Sequence, residues 1–187
     1  MEREDDQTTQ EIIEAYCDGS IAPSTLEDSH KSRLSSKVGR VMVIIPSLDI
    51  GLVVQFYDNL ELPNGHENSL YAEVIAIKQA DSFCKEKGLE SFEIYADNPK
   101  AIENARLTNV KPLDRSGRLN AAHEYLRSLL SYAGYSRGSV GAKRSRTSRK
   151  RLEVIQMMNA SRLEFSLSKS LLYPTYQAKA KRKGWTI

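Results

Sequence analysis

Apolar and polar positions along the chain change period several times, and each change marks an element. Ile12 to Cys17 reads as a strand that stops at Asp18-Gly19-Ser20, a turn signature. The β-branched run Val41 to Ile45 and a second run, Leu52 to Tyr57, flank Pro46 to Gly51 and predict two antiparallel strands. With the first strand they make a meander. Leu70, Val74, Ile77 and Cys84 then recur at three- and four-residue spacing, which predicts a helix capped by Asn68 or Ser69 and stopped by Gly88. Ser91 to Ala96 alternates as a strand. After Asp97, Asn98 and Pro99 open a second helix, with Asn98 as the cap and proline at the first helical position. A third helix is expected from about Gly117 to Ala133, carrying Leu119, Leu126, Leu129 and Leu130. Residues 135–147 are Gly, Ser and basic, with at most a short strand around Val140, and a last helix from about Ser148 to Leu172 ends before Pro174.

Three meandering strands followed by helix-linked strands indicate an α/β domain, a five-stranded mixed sheet with helices packed on it. At 187 residues the chain supports one sizeable core, placed at 11–172, with a polar tail at 1–10, a loop insertion at 21–39 and a basic tail at 173–187. A composition 40% hydrophobic and 27% charged excludes a wholly disordered chain and a collagen-like fibre. The longest clean apolar run, Val41 to Ile45, falls far short of the ~20 residues of a membrane span. The acidic opening Met1 to Asp6 lacks the regions of a signal peptide, so an intracellular, cytoplasmic protein is expected, with no membrane partner. Cys17 and Cys84 are too few for a disulfide framework and read as reduced and buried.

Charge adds what periodicity cannot. Net charge is only +3, yet residues 1–73 carry 5 basic against 14 acidic side chains, and residues 74–187 carry 22 against 10. Arg137 to Arg151 holds seven basic residues and no acidic one, and Lys179, Lys181, Arg182 and Lys183 form a second cluster. Such asymmetry favours a polyanionic partner; a solvated basic loop is the plainer alternative.

Three carboxylates hold similar places in this plan. Asp18 terminates the first strand, Glu73 lies in the first turn of the first long helix, and Asp97 ends the fourth strand. If strands one and four are neighbours, the three converge at one end of the sheet. Converging carboxylates repel, so they are stable mainly around a cation, and hard oxygen ligands suit Mg²⁺ or Mn²⁺. Each has a plainer reading: Asp18 as an ordinary turn residue, Asp97 as a helix cap, Glu73 as a complement to the helix dipole. His30, His66 and His123 pair with no Cys or second His at ligand spacing and read as solvated or packed. Cys17 has no obvious base, and no Gly-rich phosphate loop is present.

The segment Ala15 to Ser20 (AYCDGS) resembles the first-strand Asp-Gly-Ser motif of ribonuclease H. Tyr71 to Ile77 (YAEVIAI) is similar to that family's helix with a metal-binding Glu, and Glu93 to Ile102 (EIYADNPKAI) to its strand-to-helix segment. The match is in order, element type and spacing, over roughly residues 11–165. Placing Val140 on the family's fifth strand puts Lys143 where its mobile His stands and Glu153 where its fourth carboxylate stands, with Asn159 a competing placement.

The resemblance implies a ribonuclease H-like fold and metal-dependent hydrolysis of a phosphodiester, typically the RNA strand of an RNA–DNA hybrid. Asp18, Glu73, Asp97 and Glu153 would be catalytic and hold two Mg²⁺ or Mn²⁺ ions. Glu73 would also contact the 2′-hydroxyl that distinguishes RNA from DNA. Asn68 and Ser69 would touch sugar or phosphate, and Lys143, Arg144, Arg146, Arg149, Lys150 and Arg151 would hold phosphates with little sequence preference. A nucleic-acid-binding module that kept the fold without catalysis, and a DNA-directed nuclease, are the alternatives, because a fold alone does not separate them.

Overall fold

The computed structural model describes residues 10–23, 37–57, 66–113, 122–127, 149, 153, 156–157, 160–170 and 173–182. Strands β1 (Ile13–Pro23), β2 (Lys37–Ile45) and β3 (Ile50–Tyr57) form the expected meander, with a short 3-10 turn, Pro46–Leu48, between the last two. Helix α1 (His66–Glu86), strand β4 (Phe92–Ala96), helix α2 (Pro99–Ala105) and strand β5 (Val110–Pro112) follow, then a helical segment at 122–127. Strand β6 (Arg162–Ser166) and helix α3 (Tyr173–Arg182) complete the described chain. One mixed open sheet takes the order β5-β4-β1-β2-β3-β6, in which β1 pairs antiparallel with β2 and parallel with β4. Among the described residues no helix is long and apolar enough to cross a membrane.

The sheet corrects the expected count of five strands to six. Its fifth strand is Val110–Pro112, parallel to β4, while Val140, the expected fifth, lies outside the described residues. The sixth falls inside the stretch expected to continue a helix from Ser148 to Leu172. Arg149, Glu153, Gln156 and Met157 are helical, but Arg162–Ser166 pairs antiparallel with β3. The residues Arg-Leu-Glu-Phe-Ser alternate at period two, so Leu163 and Phe165 turn to the core while Arg162 bonds Glu86 at 2.7 Å at the surface. Part of the expected basic tail is helix α3.

Each face of the sheet has its own core. On one, Ala15, Cys17, Val41, Val43 and Ile45 meet α1 and α2. The buried stripe of α1 is Ala72, Ala76, Ala80 and Phe83 with Ile77 and Cys84, so small residues let the helix lie close, and the expected Leu70 and Val74 sit on its flank. Gly88, at φ 72°, ends this helix in a left-handed turn in which the Leu89 N–H donates to the Cys84 carbonyl at 3.1 Å. As expected, Asn98 caps α2, its side chain accepting from the backbone N–H groups of Lys100 and Ala101. On the opposite face Tyr16, Met42, Ile44 and Val53 meet Tyr125 and Leu126 of segment 122–127, with Met157 and Leu167.

Candidate metal centre

Strand register decides where the carboxylates go. Tyr16 is paired with Tyr95 across the parallel β1–β4 ladder, and their rings stack with centroids 5.3 Å apart. Two residues beyond that pair stand Asp18, still within β1 and on the face of Tyr16, and Asp97, just past the last residue of β4. One oxygen of each, together with a ring nitrogen of His123, forms a set lying within 4.8 Å of one another. His123 Nε2 is 3.9 Å from Asp97 Oδ2.

Glu73 is brought to the same place by a glycine. A β-carbon on Gly19 would lie 2.4 Å from the Ala72 carbonyl oxygen and 3.1 Å from the Glu73 nitrogen. Only glycine lets the backbone of α1 approach β1 so closely, and it sets Glu73 beside Asp18, whose carboxyl feels the Glu73 charge. That carboxyl is pushed up to about 7, first by burial and then by the Asp97 charge, while a hydrogen bond from the Gly19 N–H at 2.9 Å opposes the rise. Burial lowers His123 below the ordinary histidine value against the pull of Asp97, which leaves the imidazole neutral, the form that ligates metals. Arg127, exposed one turn beyond His123, acts electrostatically on both Asp18 and His123.

This donor set fits a divalent cation. Two carboxylates and an imidazole converge, and the mutual repulsion that raises Asp18 is the penalty a bound cation removes. Asp18, Asp97 and His123 would hold such an ion, with Glu73 adjacent.

The plainer readings of the three acids do not survive the geometry. Asp18 is not in a turn, nor does the first strand end there as expected: β1 runs on to Pro23, and Asp18 pairs with Met42 inside it. The cap of α2 is Asn98, not Asp97. α1 begins at His66, which corrects the expected place of Glu73 in its first turn: Glu73 lies two turns inside, beyond the reach of the terminal dipole. Cys17 is buried and unpaired, as expected, its thiol bonded to the Tyr95 carbonyl at 3.7 Å and held well above the usual range by burial.

Other expected site residues fall elsewhere. Glu153 stands outside the close set, its Oε2 3.5 Å from Ser170 Oγ, so the third close donor beside Asp18 and Asp97 is His123. Asn68 and Ser69, expected to cap α1, lie instead within its first turn because the helix already begins at His66, with Ser69 exposed. Arg149 is helical and exposed, whereas Lys143, Arg144, Arg146, Lys150, Arg151 and Asn159 lie outside the described residues. His123, expected to be packed or solvated, is packed and fully buried, and it also stands among the close donors. Its four-residue spacing from Leu119 and three-residue spacing to Leu126 put it on the apolar stripe of its helix, and that was the available signal. Arg40, also overlooked, is buried on the site's face of β2 between Ser20 and Gln55 in the register.

Comparison with protein-family models, with curated proteins and with solved structures gives no match to this chain.

Proposed function

We propose that this protein is a divalent-metal nuclease of the ribonuclease H-like kind, hydrolysing phosphodiester bonds in the RNA strand of an RNA–DNA hybrid. The observation that carries the reading is the convergence of Asp18 on β1 and Asp97 just beyond the end of the adjacent parallel β4, closed by His123 within 4.8 Å. The order β3-β2-β1-β4-β5, three strands antiparallel and then two parallel, agrees with the fold that the Asp-Gly-Ser resemblance implies. Asp18 and Asp97, with Glu73 adjacent, would hold Mg²⁺ or Mn²⁺, which when bound would supply an activated water and offset charge on the leaving 3′ oxygen. The protein's own part is to fix the carboxylates on a rigid pair of strands, seated above the Tyr16–Tyr95 stack. Glu73, adjacent through Gly19, is the group to test a 2′-hydroxyl. Exposed Arg127 and Arg149 and, on α3, exposed Lys181 and Arg182 supply cations for the phosphates.

The test is incubation of labelled RNA–DNA hybrid, double-stranded RNA and junction DNA with Mg²⁺ or Mn²⁺. Cleavage of the hybrid alone, lost in Asp18→Asn and Asp97→Asn while hybrid binding persists, is expected. Cleavage of junction DNA instead would make the enzyme DNA-directed, and binding without cleavage in either metal would make it a non-catalytic module.

A further inference from the structure

We infer that His123 is a metal ligand and that the Asp18–Asp97–His123 set is a mixed nitrogen–oxygen site selecting Mn²⁺ over Mg²⁺. The inference rests on the metal-binding half of the function proposed above and not on the hydrolysis. His123 is fully buried, and among the described residues neither of its ring nitrogens has a hydrogen-bond partner. A buried imidazole with both nitrogens unsatisfied is costly, and a residue so placed calls for a ligand. Its Nε2 faces Asp97 Oδ2 at 3.9 Å, too long for a hydrogen bond, and the set that includes Asp18 closes within 4.8 Å. Donor atoms sharing one ion with bonds of about 2.1 Å stand at most about 4.2 Å apart, so a contraction of well under an ångström closes the set.

The helix carrying His123 is anchored rather than free to withdraw it. Ala122, Tyr125 and Leu126 are buried around it, and Tyr125 meets Tyr173 edge to face with centroids 6.3 Å apart. The imidazole is therefore a preset donor. Mg²⁺ is hard, holds its water strongly and takes oxygen ligands, whereas nitrogen donors favour the transition ions. Replacing one carboxylate of an all-oxygen site by imidazole also leaves one negative charge fewer, which weakens the hold on Mg²⁺ more than on Mn²⁺.

The experiment is calorimetric titration of the metal-free protein with Mn²⁺ and, separately, with Mg²⁺, for wild type and His123→Leu. Leu fills the buried volume without a donor. Wild type is expected to bind Mn²⁺ at least tenfold more tightly than Mg²⁺. In His123→Leu the Mn²⁺ affinity falls at least tenfold while that for Mg²⁺ changes less than threefold. Equal affinities in wild type, or unchanged Mn²⁺ affinity in the variant, overturn the inference. Should the variant fail to fold, pulsed electron paramagnetic resonance on wild type decides: a ¹⁴N coupling to bound Mn²⁺ supports ligation by His123, and its absence overturns it. Mn²⁺ bound through nitrogen with no hybrid cleaved would sink the nuclease reading alone. Efficient cleavage with Mg²⁺ and no nitrogen coupling would sink this inference alone.

Discussion

The two faces of the sheet are built from the same strands and do opposite work. Along β1, Ala15, Cys17 and Gly19 turn toward α1, while Tyr16 and Asp18 turn toward segment 122–127. The first face is apolar and fitted by small residues against a long helix. The second carries stacked tyrosines, two carboxylates, a buried histidine and a buried arginine. Alternation with period two is what lets one strand serve both, so the rigid face fixes the position of groups that would otherwise repel one another apart.

If this division holds, substitutions on the two faces separate activity from stability. Asp97→Asn should lower hybrid cleavage by at least ~10³-fold, about 4 kcal/mol of transition-state stabilisation, in a single-turnover assay. The same protein, metal-free, should melt no lower than wild type, because the amide relieves the charge that raises Asp18. Phe83→Ala is the opposite case. It empties a fully buried site on the α1 face and should cost about 4 kcal/mol in urea unfolding, with cleavage per folded molecule unchanged.

Gly19→Ala tests the seam where the faces meet. The added methyl would sit 2.4 Å from a backbone oxygen, which has no flexible side chain to yield, so α1 must retreat. A loss of about 3 kcal/mol is expected, with cleavage reduced as well, since Glu73 retreats with the helix. An alanine variant of wild-type stability would show that the close approach is not required.

The carboxylates were legible in the sequence because each announces itself locally. Asp18 precedes a glycine that reads as a strand end, although β1 runs on through both to Pro23, and Asp97 precedes an Asn-Pro helix start that the structure bears out at Asn98. His123 was not legible as a donor, since its helical spacing to Leu126 is what any core histidine shows. Only the packing of segment 122–127 on the face of Tyr16, fixed by tertiary structure, reveals that Asp97 lies beside it. β6 was hidden for a different reason. Leu152, Ile155, Leu163 and Leu167 satisfy helical spacing too, and the five-residue alternation at Arg162–Ser166 is decided by the edge of β3 that it covers. β5 is three residues long, too short for any period to register.

The smallest expected effect concerns what ties β6 to the sheet. Asp49 adopts a left-handed conformation, φ 54°, after the 3-10 turn. Its carboxylate accepts hydrogen bonds from the hydroxyls of Ser166 and Ser168, both at 2.6 Å, and from the Ser168 N–H at 2.7 Å. The Ser166 hydroxyl, then that of Ser168, holds the Asp49 carboxyl below its ordinary 3.8. A folded-state value below the unfolded one means that the carboxylate stabilises the native protein fully above the unfolded value, and that this support is lost as pH falls through the lower, folded one. The clip also positions Leu167, which packs on the tyrosine-bearing face. Asp49→Ala should therefore cost about 2 kcal/mol at pH 7, from the hydrogen bonds and the left-handed backbone together. Asp49→Asn, which tolerates that backbone and keeps one acceptor, should cost about half as much. Hydrogen exchange at Leu163 and Phe165 would read this as earlier opening of β6 than of α1, in the variants at neutral pH and in wild type under acid. As pH falls below 3.8 the gap between wild type and Asp49→Ala should narrow to the backbone contribution. A gap equally wide at both ends of that range would mean that conformation at residue 49, and not its charge, holds the edge strand in place.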